Sequence, residues 1–209
     1  PHPDKGAVTI SLTGLSADDN YVLDMDGKVA DITGSPFTNP DLLNPGTHSM
    51  VIYNRAEGFT FDGRMARVNA PDGKSRADGA SVIPLPDYLK TVSQEITVTA
   101  DDTLRVNPVP QQRVRDLQLE LEVTQGRPEL IQSVTATLSG IAGIFDMEKG
   151  QTIGEPTSTV FSFTRDGSKL TADARLLGTM GDVQALVLDI VFTDGGRTQR
   201  TEVDLTEAL

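Results

Sequence analysis

Cysteine and tryptophan are both absent from this chain, and histidine occurs only at His2 and His48. Without cysteine these residues can form no disulfide, no thiolate nucleophile and no cysteine-ligated zinc, which leaves the redox compartment open. Basic residues are scarce as well: 18 Lys and Arg stand against 30 Asp and Glu, a formal net charge of −12. Such a chain repels phosphate backbones on average, so no nucleic-acid partner is expected. No apolar run approaches the roughly 20 residues of a spanning helix. Also missing are GxSxG, Walker A, HExxH and a GxGxxG that opens a helix, which argues against the common hydrolases and dinucleotide enzymes. The chain begins at Pro1 with neither a methionine nor an apolar leader, so a targeting segment is expected to have preceded it and been removed.

What is present is the patterning of a β protein. Of the 209 residues, 37% are hydrophobic and 23% charged, an ordinary globular balance. The chain organises around 113–145, RVRDLQLELEVTQGRPELIQSVTATLSGIAGIF, where Leu117, Leu119, Leu121 and Val123 alternate with Gln118, Glu120 and Glu122. Strict alternation marks a strand with one wet face. The later run from Ser139 to Phe145 is apolar and small at once, suited to close backbone packing or a sharp turn.

Read in order, Val8, Ile10 and Leu12 alternate with polar residues in a first strand. Asp26-Gly27 is the dipeptide of a tight hairpin. Residues 34–46, punctured by Pro36, Pro40 and Pro45, read as a loop with one turn of helix at 41–43. Ser49 to Asn54, SMVIYN, is apolar enough to be buried on both faces and should sit centrally. Asp62-Gly63 and Pro71-Asp72-Gly73 are turns, and 74–79 reads as an exposed loop. Pro84 and Pro86 make 82–88 an extended edge segment, and Asp101-Asp102 a second acidic turn. The best linker is 107–112, NPVPQQ, stiffened by proline and lacking a core face. Beyond it, 113–123 is expected to pair with 131–138, 147–156 to be a long turn, and 165–168 to close a hairpin. Residues 183–193, VQALVLDIVFT, should be the most buried strand of the second half. Turn signals recur about every 8 to 12 residues and no helical periodicity persists. The expectation is an all-β chain of two tandem Ig-like β-sandwich domains, 1–107 and 113–209.

The search for chemistry finds little. His48 starts a strand without an evident nucleophile or orienting group and reads as an ordinary strand residue. Asp24-Met25-Asp26-Gly27 with Asp31 resembles part of a calcium loop but lacks the closing bidentate Glu, and reads as a hairpin with solvated carboxylates. Asp18-Asp19 and Asp101-Asp102 are read in the same way. The acidic residues single out no pair for glycoside cleavage. Phe59, Phe61, Phe145, Phe161, Phe163 and Phe192 fit core packing, and Tyr21, Tyr53 and Tyr88 are the best residues for a sugar-binding face. No catalytic, cofactor-binding or metal-binding residue is assigned.

The run Asn44-Pro45-Gly46-Thr47-His48 followed by Ser49 to Asn54 resembles the proline-glycine and apolar strand ending Tyr-Asn of fimbrillin-type lipoproteins, specifically the FimB-like pilus-anchoring group. The second half is similar in its Arg-led alternating strand, in Thr137-Leu138-Ser139-Gly140-Ile141-Ala142-Gly143 and in the late Asp194-Gly195-Gly196 turn. The resemblance implies tandem transthyretin-like β-sandwiches, export, a lipid-bearing cysteine before Pro1, an outer-membrane position at the cell surface, and pilin subunits as partners through β-strand edges. In that family polymerising pilins lose an N-terminal strand after a basic residue, and a neighbour's strand fills the groove. Here no Lys or Arg follows the first strand until Lys28. The retained strand suits an anchor or accessory subunit better than a shaft pilin, and the short stretch after the last strand leaves little length to donate.

Overall fold

The computed structural model describes residues 3–15, 19–72 and 80–209. Asp18 and the expected loop at 74–79 lie outside them. The first half contains β1 (Ala7–Ile10), β2 (Tyr21–Met25), β3 (Lys28–Asp31), β4 (Phe37–Thr38), β5 (Gly46–Asn54), β6 (Phe59–Asp62), β7 (Met65–Val68), β8 (Lys90–Val98), β9 (Thr103–Val106) and β10 (Gln111–Gln112). The second contains β11 (Arg115–Glu122), β12 (Ile131–Ile141), β13 (Ile144–Asp146), β14 (Gln151–Ile153), β15 (Thr157–Asp166), β16 (Lys169–Leu176), β17 (Ala185–Phe192) and β18 (Thr198–Asp204), with one 3-10 turn at Pro128–Leu130.

A three-stranded sheet, β4-β1-β9, packs on a five-stranded sheet, β10-β8-β5-β2-β3. Between them lie Val8, Ile10, Leu23, Met50, Ile52, Ile96 and Val98, all buried. Val22, Val51 and Tyr53 point the other way, into a second core. This is why SMVIYN is apolar on successive residues: β5 is the middle strand of a sheet covered on both faces. The Asp26-Gly27 hairpin has the expected positive φ values, 51° and 86°.

The second core spans both halves, from Val22 and Phe59 to Ala136, Phe145, Phe161 and Leu186. A four-stranded sheet, β14-β13-β7-β6, is likewise assembled from both, because Phe145 of β13 pairs with Ala66 of β7. Gln111 and Gln112, expected in the linker, pair as β10 with β8. The remaining strands form a six-stranded sheet in the order β11-β16-β15-β12-β17-β18. Gly140, at φ +74°, sits at a break in the β12 register, where a Cβ would lie 2.1 Å from the Val183 carbonyl oxygen. Close approach is the use its small-residue run suggested.

Several expectations are corrected. β11 pairs with β16, not with β12, which pairs with β15 and β17. Alternation reports which face of a strand is dry, not which strand lies beside it. The most buried strand of this half is β13, buried at all three residues, and the long β12 is also more buried than β17, whose last residues are half-buried beside the exposed β18. No helical turn forms at 41–43, where Leu43 exchanges backbone hydrogen bonds with Gly6, and β4 forms inside the supposed loop. β14 forms inside the supposed turn at 147–156. The segment containing Pro84 and Pro86 is no outer edge: Val82 bridges Thr159 of β15, and the Pro84 carbonyl accepts from the Arg175 amide of β16. The segment donates as well as accepts there, from the Val82 and Ile83 amides to the Ser158 and Asn69 carbonyls, and only its two prolines lack an amide to place.

Candidate functional surface

The polar groups nearest to chemistry lie where β2, β5 and the β6–β7 turn meet. Arg64 Nη2 donates to Asp24 Oδ1 at 2.9 Å and to the Ser49 carbonyl at 3.0 Å, while Nη1 donates to Ser49 Oγ at 2.5 Å and Glu148 Oε1 at 3.2 Å. The Asp24 side chain is 4% exposed and that of Arg64 13%. Asp24 also accepts from the Gly27 amide at 2.8 Å. Asp24 is therefore not a solvated hairpin carboxylate, because a cation distant in sequence follows it into the protein. Burial works against the charged guanidinium, but its hydrogen bond to Asp24 and the surrounding acids hold its pKa above the ordinary value.

Beside this pair, His48 Nδ1 lies 2.5 Å from Asp26 Oδ2 and Nε2 lies 2.7 Å from the Asn44 carbonyl oxygen. Both neighbours are acceptors, so the arrangement suits a doubly protonated ring. The Asp26 hydrogen bond, then the Asn44 bond, raise the His48 pKa. Burial pushes Asp26 upward, but hydrogen bonds from His48 and the Ser49 amide outweigh it and lower its pKa. Neither ring nitrogen is left to take a proton from Ser49, whose hydroxyl is held by Arg64. Asp26, His48 and Ser49 are thus a structural contact rather than a nucleophile with its base. Among the described residues, no three His, Asp or Glu side chains converge as a metal site.

The tyrosines do not share a face. Tyr21 is buried in the first core, and burial, then the charge of Asp19, push its hydroxyl to about 12. Tyr53 packs in the second core with its ring tilted against Phe61, centroids 4.8 Å apart. Tyr88 is half-buried at the rim of the second core, its hydroxyl 2.7 Å from Asp116 and its ring 4.4 Å beneath the Arg175 guanidinium. Phe59, Phe145, Phe161 and Phe163 are buried, and Phe61 and Phe192 half-buried against the second core.

The sheet edges offer more. β1 is occupied on both sides, antiparallel to β4 and parallel to β9, with Val8 and Ile10 fully buried. The six-stranded sheet, in contrast, does not close: its terminal strands β11 and β18 each pair on one side and run in opposite directions. Half-buried Leu117, Leu119, Leu121, Val203, Leu205 and Phe192 face the core along this seam. At the end remote from the first half, Val123, Leu130, Ile131, Leu170, Ile190 and Phe192 line a cavity of about 370 Å³, with Arg127 and Arg197 also lining it. The alternation of β11 made a strand legible, but nothing local marked its outer edge as open.

No protein-family model matches the sequence, and no curated protein matches it. Solved structures do. A candidate adhesin from Bacteroides ovatus aligns with 99% of this chain and 84% of its own at TM-score 0.77 and 18% identity. The fimbrial anchor protein Mfa2 from Porphyromonas gingivalis aligns with 98% of this chain and 83% of its own at TM-score 0.60 and 10% identity. A candidate polysaccharide-binding protein from Bacteroides thetaiotaomicron aligns with 98% of this chain and 81% of its own at TM-score 0.57 and 11% identity. At such identities the likeness is one of fold: over nearly its full length, the chain has the β architecture seen in candidate adhesins and a fimbrial anchor.

Proposed function

We propose that this chain is a non-enzymatic cell-surface subunit of the FimB-like kind, a pilus anchor or accessory protein that meets pilin subunits through its strand edges. A lipid on a cysteine upstream of Pro1 would hold it to the outer membrane, and 1–107 and 113–209 are its proposed transthyretin-like units. The observation that carries the reading is the state of β1, which lies paired on both flanks with its apolar side chains covered. A subunit whose first strand stays in place keeps its own groove filled and suits an end or accessory position better than a shaft. The fold likeness to a fimbrial anchor supports this. Capture of purified pilin subunits by the immobilised chain, run beside a glycan array, is the test. Pilin capture without glycan binding is expected.

A second reading, a carbohydrate-binding outer-membrane accessory lipoprotein, draws on the surface cleft of about 320 Å³ that Tyr88, Asp116 and Arg175 help to line. It predicts glycan binding that Tyr88→Ala abolishes. Binding to sugars alone would reverse the order of the two readings.

A further inference from the structure

Among the described residues the longest strands at the end of a sheet are β11 and β18; β8 is also uncovered on its outer flank beyond Thr91, where β10 stops. The other terminal strands are short: β4 and β10 have 2 residues each, β14 has 3, and β3, β6 and β9 have 4. β18 exposes Gln199, Arg200, Glu202 and Asp204 in a nearly continuous polar run, the kind of edge that discourages pairing. β11 also exposes Asp116, Gln118, Glu120 and Glu122, but its 8 residues place Leu117, Leu119 and Leu121 inward and only half-covered, and among the described residues no strand lies along its outer flank.

We propose that the seam between β11 and β18 accepts an extended segment of another subunit, laid antiparallel along β11. This segment would alternate apolar and polar side chains and carry carboxylates at its N-terminal end. The backbone edge supplies the hydrogen bonds, and the half-covered leucines and the apolar cavity supply pockets for every second side chain. The charge preference comes from the remote mouth of the seam. In a chain of net charge −12, two guanidiniums, Arg127 and Arg197, line that mouth. Arg197 is held 4.4 Å over the Phe192 ring. Their own partners, Glu129 at 2.9 Å and Asp194 at 3.6 Å, form exposed pairs of the kind that contribute little and exchange readily. β11 runs toward this mouth, so the N-terminal end of an antiparallel strand lies over the arginines. The partner's identity rests on the pilus reading; the groove does not.

The probe is a ten-residue peptide of alternating valine and threonine with two N-terminal glutamates, compared with a twin bearing lysines there. Titration calorimetry on the full chain is expected to give the glutamate peptide at least about tenfold tighter binding, an advantage that shrinks as salt rises. Hydrogen exchange should slow in 115–122 and nowhere else among the edges. R127E/R197E, which changes exposed side chains and should leave the fold intact by circular dichroism, is expected to reverse the preference. Leu119→Lys should weaken both peptides. Equal binding of the twins, no binding, or protection at β3 or β18 instead would overturn the proposal. Pilin capture that R127E/R197E leaves intact would overturn the seam but not the pilus reading. Peptide protection at β11 without pilin capture would sustain the seam and sink that reading.

Discussion

Arg64 leaves the β6–β7 turn and delivers its guanidinium to Asp24, Ser49 and Glu148, on three separate segments. A buried ion pair adds little over well-packed apolar residues, but breaking one leaves an uncompensated charge. Arg64→Ala should therefore destabilise the chain by about 3–5 kcal/mol in urea unfolding, whereas Arg64→Met combined with Asp24→Leu should recover most of that loss. Additive single-site costs would show that the two do not act as a pair. The neighbouring His48–Asp26 contact has a pH signature. Raised in the folded state, His48 contributes stability that is fully present below its unfolded pKa and lost as pH rises through the folded value. Lowered in the folded state, Asp26 contributes stability present above its unfolded pKa and lost as pH falls through the folded value. The contact thus helps most from weakly acidic to neutral pH, and His48→Ala should flatten stability across that window. An NMR titration of His48 centred at or below the free-histidine range would contradict this.

Among the elements, the segment before Tyr88 departs furthest from its sequence reading. Prolines signalled a poor donor at an edge, but the Val82 and Ile83 amides both donate, and the segment lies against β15 and β16 rather than at an outer edge. Thr157 Oγ1 donates to the Ala80 carbonyl at 2.6 Å and Thr159 Oγ1 to the Val82 carbonyl at 2.8 Å. Thr159 is fully buried, so Thr159→Val keeps the shape but leaves the Val82 carbonyl short of a partner. A loss of about 1–3 kcal/mol is expected, with Thr159→Ser retaining most of the stability; equal effects of Val and Ser would exclude the hydroxyl as the cause. In β11, alternation revealed the inward face at once. Its pairing with β16 was hidden because the chain crosses away through the Pro128–Leu130 turn before returning.

Across the chain as a single body, one apolar cluster runs through both halves, and β7 and β13 join them in one sheet. The proposed units 1–107 and 113–209 thus describe topology better than independent folding. Calorimetry should give one transition, with van't Hoff and calorimetric enthalpies agreeing. Two resolved transitions, or a cooperatively folded fragment of 113–209 alone, would show that the shared sheet couples the halves weakly.

Short-range information settled a good deal: strands where apolar and polar residues alternate, turns at Asp26-Gly27, Asp62-Gly63 and Asp166-Gly167, the acidic surface, and the lack of a recognisable catalytic motif. Each follows from neighbours within a few residues, through side-chain periodicity or the φ that a turn demands. Strand partners, the burial of Asp24 with Arg64, the insertion of the proline segment and the open flank of β11 were decided only when distant segments met. An edge is defined by what fails to lie beside it, and no local stretch of residues can carry that.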